Sequence, residues 1–296
     1  MIAGPTAIGK SQLAIDLAKE FSCEILSADS RQFYQEMSIG TAKPTAEEMQ
    51  NIPHHFINNI SIQQDYNVGK FELEALQKLE ELFQKNDVAI LVGGSGLYIN
   101  ALLYGLDDLP PSDEKIRLQL EKDIEEKGIE HLQNQLQQLD PVYFKEVDIH
   151  NKHRVMRALE ICLISGYPYS SLRINKKVER PFKSIFIVLN SDRKELYNKI
   201  NLRVDLMLQN GLLKEVQSLI DYQQHNALNT VGYKEIFDYL NGKTSLEFAI
   251  DKIKQNSRNY AKRQITWFKK NEEAIWFEPT QKEEIIQLIR RVINFS

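Results

Sequence analysis

Gly4-Pro5-Thr6-Ala7-Ile8-Gly9-Lys10-Ser11 is a complete G-x-x-x-x-G-K-[ST] phosphate loop. A helical pattern follows it at once, with Leu13, Ala14, Leu17, Ala18 and Phe21 recurring on one side. The spacing has a physical reason: Gly4 and Gly9 let the backbone wrap around oxyanions, so that successive N–H groups and a helix N-terminus point at phosphate. Lys10 adds a point charge, and the Ser11 hydroxyl is placed to ligand Mg²⁺. The stretch therefore predicts a di- or triphosphate site. A buried parallel strand of about five residues should precede such a loop, yet only Met1, Ile2 and Ala3 do. The expectation is that the natural start lies upstream.

Outward from the loop, the first hundred residues alternate strand and helix. Glu24-Ile25-Leu26-Ser27 reads as a short strand ending at Ala28-Asp29-Ser30, and residues 70–85 as a helix. Val88-Ala89-Ile90-Leu91-Val92 is a near-continuous apolar run, as for a strand buried on both faces, and it ends at Gly93-Gly94-Ser95-Gly96. The predicted fold class is α/β, a phosphate-loop parallel sheet flanked by helices with its ligand at the carboxyl rim. Pro110-Pro111 then breaks the pattern, Ser112 is placed to cap the next helix, and helical sequence continues to about Arg173 with Leu118, Ile124, Leu132, Leu136 and Leu139 facing inwards. Residues 184–190 read as a strand returning to the sheet. The expected organisation is a core of residues 1–110 and 175–296 carrying a helical insertion at 111–174, with a long basic C-terminal helix at 244–270.

The 296-residue chain is 42% hydrophobic and 26% charged, which describes an ordinary globular protein. No apolar run reaches about 18 residues, so no membrane span is expected, and the N-terminus lacks a signal-peptide pattern. Two cysteines are too few for a disulfide framework or a four-cysteine zinc site. The expected location is the cytoplasm. A net charge of −4 excludes a polycation, so any nucleic-acid surface must be a local concentration of positive charge.

Asp29, closing the strand after the loop helix, should share a sheet rim with Lys10. A carboxylate there serves either to hold Mg²⁺ or to take a proton from an acceptor; as an Asp-Ser pair it also suits a turn. The glycines after Val92 replace the acidic residue that usually ends a strand in NTP-hydrolysing relatives of the loop, which argues against a motor or switch ATPase. They admit another backbone or a flat base, and serve equally as a tight turn. Lys152, Arg154 and Arg157 cluster on one stretch, and Lys254, Arg258 and Lys262 recur every four residues with Tyr260, Trp267 and Phe268 interleaved. Such a row suits RNA phosphates and stacked unpaired bases, although a solvated helix face is its commoner cause. His54-His55 has no third ligand at metal spacing and reads as hydrogen-bonding.

Taken together, these residues resemble the bacterial tRNA dimethylallyltransferases, also called tRNA isopentenyltransferases. The resemblance spans nearly the whole chain. It is carried by Gly4 to Ser11, Ser27 to Tyr34, Ile39 to Pro44, Leu91 to Tyr98, Arg157 to Glu160, Val231 to Lys234 and Lys262 to Phe268. It implies transfer of the dimethylallyl group from dimethylallyl diphosphate to N6 of the adenosine 3′ of the anticodon, in tRNAs reading codons that begin with U. The implied catalytic residues are Asp29 as general base, with Thr6 and Lys10. The diphosphate would lie on Gly4, Pro5, Thr6, Ala7, Ile8, Gly9, Lys10 and Ser11, with Mg²⁺ at Ser11. Implied contacts to the tRNA anticodon stem-loop are Asp29, Ser30, Arg31, Gln32, Ser95, Arg117, His153, Arg154, Val155, Met156, Arg157, Lys262, Arg263, Gln264, Trp267 and Lys269. A monomer is expected. His153 stands where several relatives carry Gln, Ser95 where many carry Thr, and Asn229-Thr230 where some carry Arg.

Overall fold

Six parallel strands form one sheet: β1 (Ile2–Ala3), β2 (Ile25–Ser27), β3 (His54–His55), β4 (Ile90–Gly93), β5 (Ile187–Leu189) and β6 (Ile275–Phe277), in the order β3-β2-β4-β1-β5-β6. This is a computed structural model, and it describes residues 1–174 and 177–294, with the side chain of Asn294 left aside. Every residue of β1, β2, β4 and β5 is buried, which explains their unbroken apolar runs. Ile2 sits between Val92 of β4 and Ile187 of β5, so the chain reverses its direction of winding across β1. The carboxyl end of that central strand opens directly into the phosphate loop, the position where open α/β sheets bind ligands. The helix Lys10–Glu20 packs Leu13, Ala14, Leu17 and Ala18 into a core shared with Ile25, Ile90, Ile187 and Ile285.

The chain divides into two compact units, Met1–Leu103 with Arg180–Ser296, and Tyr104–Glu179. The second opens earlier and closes later than the expected 111 and 174, because the Val178 N–H donates to the Tyr104 carbonyl at 2.7 Å and ties its entry to its exit. Its core is Leu120, Leu132, Leu136, Tyr143, Val155, Met156 and Leu159. Leu118 and Leu139 are not part of it; they are 58% and 43% exposed, on the outer faces of their helices. The cap of the helix Glu114–Lys127 is Asp113, whose carboxylate accepts the Ile116 N–H at 3.1 Å, and not Ser112. The Ser112 hydroxyl instead donates to buried Glu160 at 2.6 Å.

The long basic helix is Leu246–Phe268, and it is not the C-terminal element. Strand β6 and the helix Lys282–Asn294 follow it. That last helix returns Ile285, Ile286 and Ile289 to the sheet core. His54 and His55 make hydrogen bonds, to the Ile52 carbonyl at 2.8 Å and the Glu24 carboxylate at 2.6 Å. No helix among the described residues is long and apolar enough to cross a membrane.

Candidate active site

At the carboxyl rim two cavities, of about 530 and 470 Å³, lie side by side in the α/β unit, with Thr6, Ala7, Asp29, Thr41, Arg203 and Tyr260 lining both. The second is walled by the phosphate loop from Thr6 to Ser11. Gly4 is required there: its φ is +147°, and a Cβ would lie 2.7 Å from the Leu189 carbonyl oxygen. The Lys10 ammonium donates to the Gly4 and Pro5 carbonyls at 3.0 and 2.8 Å, so loop and lysine are preassembled. Burial, followed by the neighbouring Arg203 charge, pulls the Lys10 pKa down to about 7.

Arg203 is a candidate site residue that sequence reasoning missed. From the helix Arg193–Gln209 its guanidinium donates to the Thr6 hydroxyl at 3.1 Å, across 197 residues of chain. Its only sequence signal is a cation between the buried Ile200 and Val204. Burial lowers its pKa and Asp29 opposes that shift. Two cations thus meet at one loop, in a cavity that the Asp29 and Glu48 carboxylates also border.

Asp29 accepts the Arg31 N–H on Oδ1 at 3.0 Å, an Asx turn that fixes its orientation on the wall between the cavities. Ser30 lines the larger cavity, and its N–H donates to the Ser95 hydroxyl at 2.9 Å. Arg31 donates to the carbonyls of Asn226 and Ala227, while the Gln32 amide donates to those of Thr41 and Ala42. Tyr260 closes the wall; burial, then the Asp29 carboxylate, pushes its phenol up to about 12.

The glycines after β4 admit this chain's own groups. A Cβ on Gly93 would meet the Ala28 carbonyl at 2.3 Å, one on Gly94 the Gln264 amide at 2.2 Å, and one on Gly96 the Trp267 indole at 2.3 Å. Gln264, expected to face tRNA, is 6% exposed and clamps the loop: it accepts the Thr6 N–H and donates to the Gly94 carbonyl, both at 2.9 Å. The cationic row of the same helix is divided. Lys254 pairs with Asp205 at 2.6 Å and Arg258 donates to Asn201 at 2.6 Å, whereas Lys262, Arg263 and Lys269 are exposed and Trp267 is 38% exposed.

In the helical unit, His153 and Arg154 are exposed at the start of the helix Lys152–Ser165. Arg117 is more than half exposed, 3.9 Å from Glu160. Val155 and Met156 are buried core residues, so their side chains are withheld from any ligand. Arg157 is engaged internally, with the Glu160 carboxylate at 2.7 Å and the Pro110 carbonyl at 2.8 Å.

For a divalent cation, the Ser11 hydroxyl and the Asp29 carboxylate border the same cavity. Hard oxygen donors beside a phosphate site fit Mg²⁺, which keeps most of its shell as water and phosphate oxygen.

A phosphate loop after the central strand, two half-buried cations on it and a carboxylate on the wall between the cavities define a phosphate-loop α/β protein built to hold a phosphorylated ligand. Residues 32–271 match the IPP transferase family, and the chain belongs to that family. It is 53% identical over 294 residues to the tRNA dimethylallyltransferase of Christiangramia forsetii, covering 99% of this chain and 97% of that protein. It is 50% identical to that of Flavobacterium johnsoniae, covering 97% and 96%. The fold matches the full-length tRNA isopentenylpyrophosphate transferase of Bacillus halodurans with a TM-score of 0.72 at 37% identity, covering 98% of this chain and 94% of that one. It matches a eukaryotic dimethylallyltransferase acting on tRNA with a TM-score of 0.82 at 27% identity, covering 99% and 78%.

Proposed function

We propose that this protein transfers the dimethylallyl group of dimethylallyl diphosphate to N6 of the adenosine 3′ of the anticodon, in tRNAs reading codons that begin with U. We further propose that it acts as a monomer in the cytoplasm. The observation that carries the reading is the wall shared by the two cavities: Thr6 of the phosphate loop, the Arg203 guanidinium bonded to it and Asp29 border both sides. A diphosphate on the loop and a base in the larger cavity then meet at one carboxylate.

The chemistry follows from these groups. N6 attacks C1 of the dimethylallyl group, the C1–O bond breaks, and its electron pair leaves with diphosphate. The N6 proton passes to Asp29, because an exocyclic adenine amine is a poor nucleophile until it begins to lose that proton. Negative charge develops on the departing oxygen, where the loop N–H groups, Lys10 and Arg203 are fixed beforehand. Ser11 is the residue suited to hold Mg²⁺, which would supply further charge neutralisation to the diphosphate. Extrusion of the base costs a few kcal/mol, less in a loop than in a duplex. Exposed Lys262, Arg263 and Lys269, and separately Arg117, His153 and Arg154, suit tRNA phosphates; Trp267 suits a stacked base.

The test is incubation of unmodified tRNA carrying an adenosine triplet after the anticodon with the protein, Mg²⁺ and dimethylallyl diphosphate, followed by nucleoside mass analysis. Gain of one five-carbon unit on adenosine supports the reading. An unchanged nucleoside mass, with ATP consumed in a parallel reaction, replaces it with a small-molecule kinase.

A further inference from the structure

Two stretches of the larger cavity's lining, Gly40-Thr41 and Asn229 to Gly232 with Lys234 and Glu235, take no part in the chemistry above, and one carboxylate fastens both. Glu215, in the helix Leu212–Ser218, accepts the Ser38 and Ile39 N–H groups on Oε2 at 3.0 and 2.7 Å. Its Oε1 accepts the Gly40 N–H at 3.0 Å and the Tyr233 hydroxyl at 2.6 Å. Four donors occupy the four acceptor sites of one carboxylate.

The two stretches are also locked together sterically. The buried Tyr233 ring lies 2.4 Å from where a Cβ on Gly40 would stand, so the loop runs flat against it. Beyond Gly40, Thr41 lines both cavities, and its carbonyl and that of Ala42 take the Gln32 amide at 3.3 Å each. Gln32 lies three residues beyond Asp29, and its own N–H donates to the Asp29 carbonyl at 3.1 Å. At the far end of the loop the Lys43 ammonium donates to the Tyr34 carbonyl and the Asn58 amide oxygen, both at 2.6 Å. A continuous set of hydrogen bonds therefore runs from Glu215 to the segment that carries the proposed base. Glu215 itself borders neither cavity.

We propose that Glu215 is a positioning residue for the transfer, holding the 38–41 loop and Tyr233 so that the acceptor base meets Asp29 in a single orientation. The proposal rests on the transfer reading above. Because all four partners of Glu215 donate, glutamine is a poor substitute despite its shape: its NH₂ turns toward donors whichever way the amide is placed. Phosphate contacts dominate affinity for nucleic acid, and the diphosphate sits on a different loop. The loss should therefore fall on kcat, through misplacement of the reacting groups.

The experiment compares wild type, Glu215→Gln and Tyr233→Phe for kcat and both KM values in the tRNA prenylation assay. Amide hydrogen exchange at residues 38–40 and thermal melting are followed alongside. Glu215→Gln is expected to lose roughly 10- to 100-fold in kcat, with KM for dimethylallyl diphosphate within about twofold. Exchange at Ser38, Ile39 and Gly40 should rise while a cooperative melt is kept. Tyr233→Phe, which removes one bond of four, should lose about two- to fivefold. If Glu215→Gln keeps kcat within about twofold of a working wild type, the proposal fails alone. It fails equally if kcat falls only in step with the folded fraction. Should Glu215→Gln not fold, an unchanged kcat in Tyr233→Phe overturns it. A wild-type protein that leaves tRNA unmodified overturns the transfer reading and this proposal together.

Discussion

At the rim of the sheet, Lys10 and Arg203 place their hydrogen bonds on carbonyl and hydroxyl oxygens, with no carboxylate among the described residues bonded to either. In the helical unit the opposite holds: Lys127 is bound to Asp123, Arg157 to Glu160 and Arg173 to Glu146. The lesson is that cations hydrogen-bonded to no carboxylate on a cavity wall mark a place where an anionic ligand can add its charge, whereas cations paired directly with carboxylates mark structure. Cationic residues in a sequence do not announce which kind they are. Arg157 and Arg203 look alike in the chain and are used differently.

The largest effect should come from Asp29, the carboxylate that borders both cavities. Asp29→Asn keeps the Asx turn, since an amide oxygen still accepts the Arg31 N–H, but removes the proton acceptor. Turnover is expected to fall on the order of 10²- to 10⁴-fold, with tRNA affinity by filter binding within about twofold. Equal losses of turnover and affinity would place Asp29 among the tRNA contacts instead.

Lys10→Met tests the cation half of the comparison. kcat/KM for dimethylallyl diphosphate should fall on the order of 10²- to 10³-fold. The same lysine carries a pH signature, because its pKa is lowered to about 7 from the ordinary lysine value of 10.5, by burial first and Arg203 second. Between those two values the unfolded chain binds more protons than the folded one, so this residue makes stability rise with pH across that window. Below the folded value Lys10 is charged in both states, and its burial is a full penalty. Lys10→Met should therefore raise the melting temperature of the ligand-free protein more near pH 6 than near pH 10. In wild type, KM for dimethylallyl diphosphate should climb above about pH 7, because binding an anion there requires uptake of a proton. A flat profile would show Lys10 to be charged throughout.

How much of this was legible in the chain follows from distance along it. The phosphate loop, the β4 run and Asp29 are local patterns, and they carried the fold class and half of the candidate site. Arg203 and Gln264 meet Thr6 across 197 and 258 residues, and no spacing rule connects partners so far apart. Periodicity misjudged Leu118 and Leu139 because a small helical unit buries only one narrow stripe of each helix. The cationic row in the long helix was visible, but its division was not: the partners of Lys254 and Arg258 lie on another helix.

Gln264 sharpens the comparison at intermediate size. Gln264→Ala leaves the Thr6 N–H and the Gly94 carbonyl without their side-chain partner. It should cost about 1–3 kcal/mol of stability by denaturant titration. With the loop unclamped, kcat/KM for dimethylallyl diphosphate should drop about tenfold, while tRNA affinity stays level. A loss confined to tRNA affinity would restore the contact role implied by the family resemblance.

The smallest effects should separate Arg154 from Arg157, three residues apart on one helix. Arg154 is exposed at the helix start, and its removal should weaken tRNA binding a few-fold and lower the salt slope by about one. Arg157→Ala instead strands Glu160, whose side chain is 1% exposed, without its strongest partner. Breaking a buried pair from one side costs about 3–5 kcal/mol; since Arg157 is itself a third exposed, about 2–3 kcal/mol is expected here. Glu160 retains the Ser112 hydroxyl and the Asp113 N–H, at 2.6 and 2.9 Å, so the unit should still fold. The double replacement Arg157→Met with Glu160→Leu should recover only part of the loss, because an apolar pair removes the stranded charge but leaves the Ser112 hydroxyl and the Asp113 N–H without their acceptor. Salt dependence of tRNA binding should be unchanged in that variant. A reduced slope would mean that Arg157 reaches phosphate after all, and matched charge in the helical unit would no longer be a reliable mark of structure.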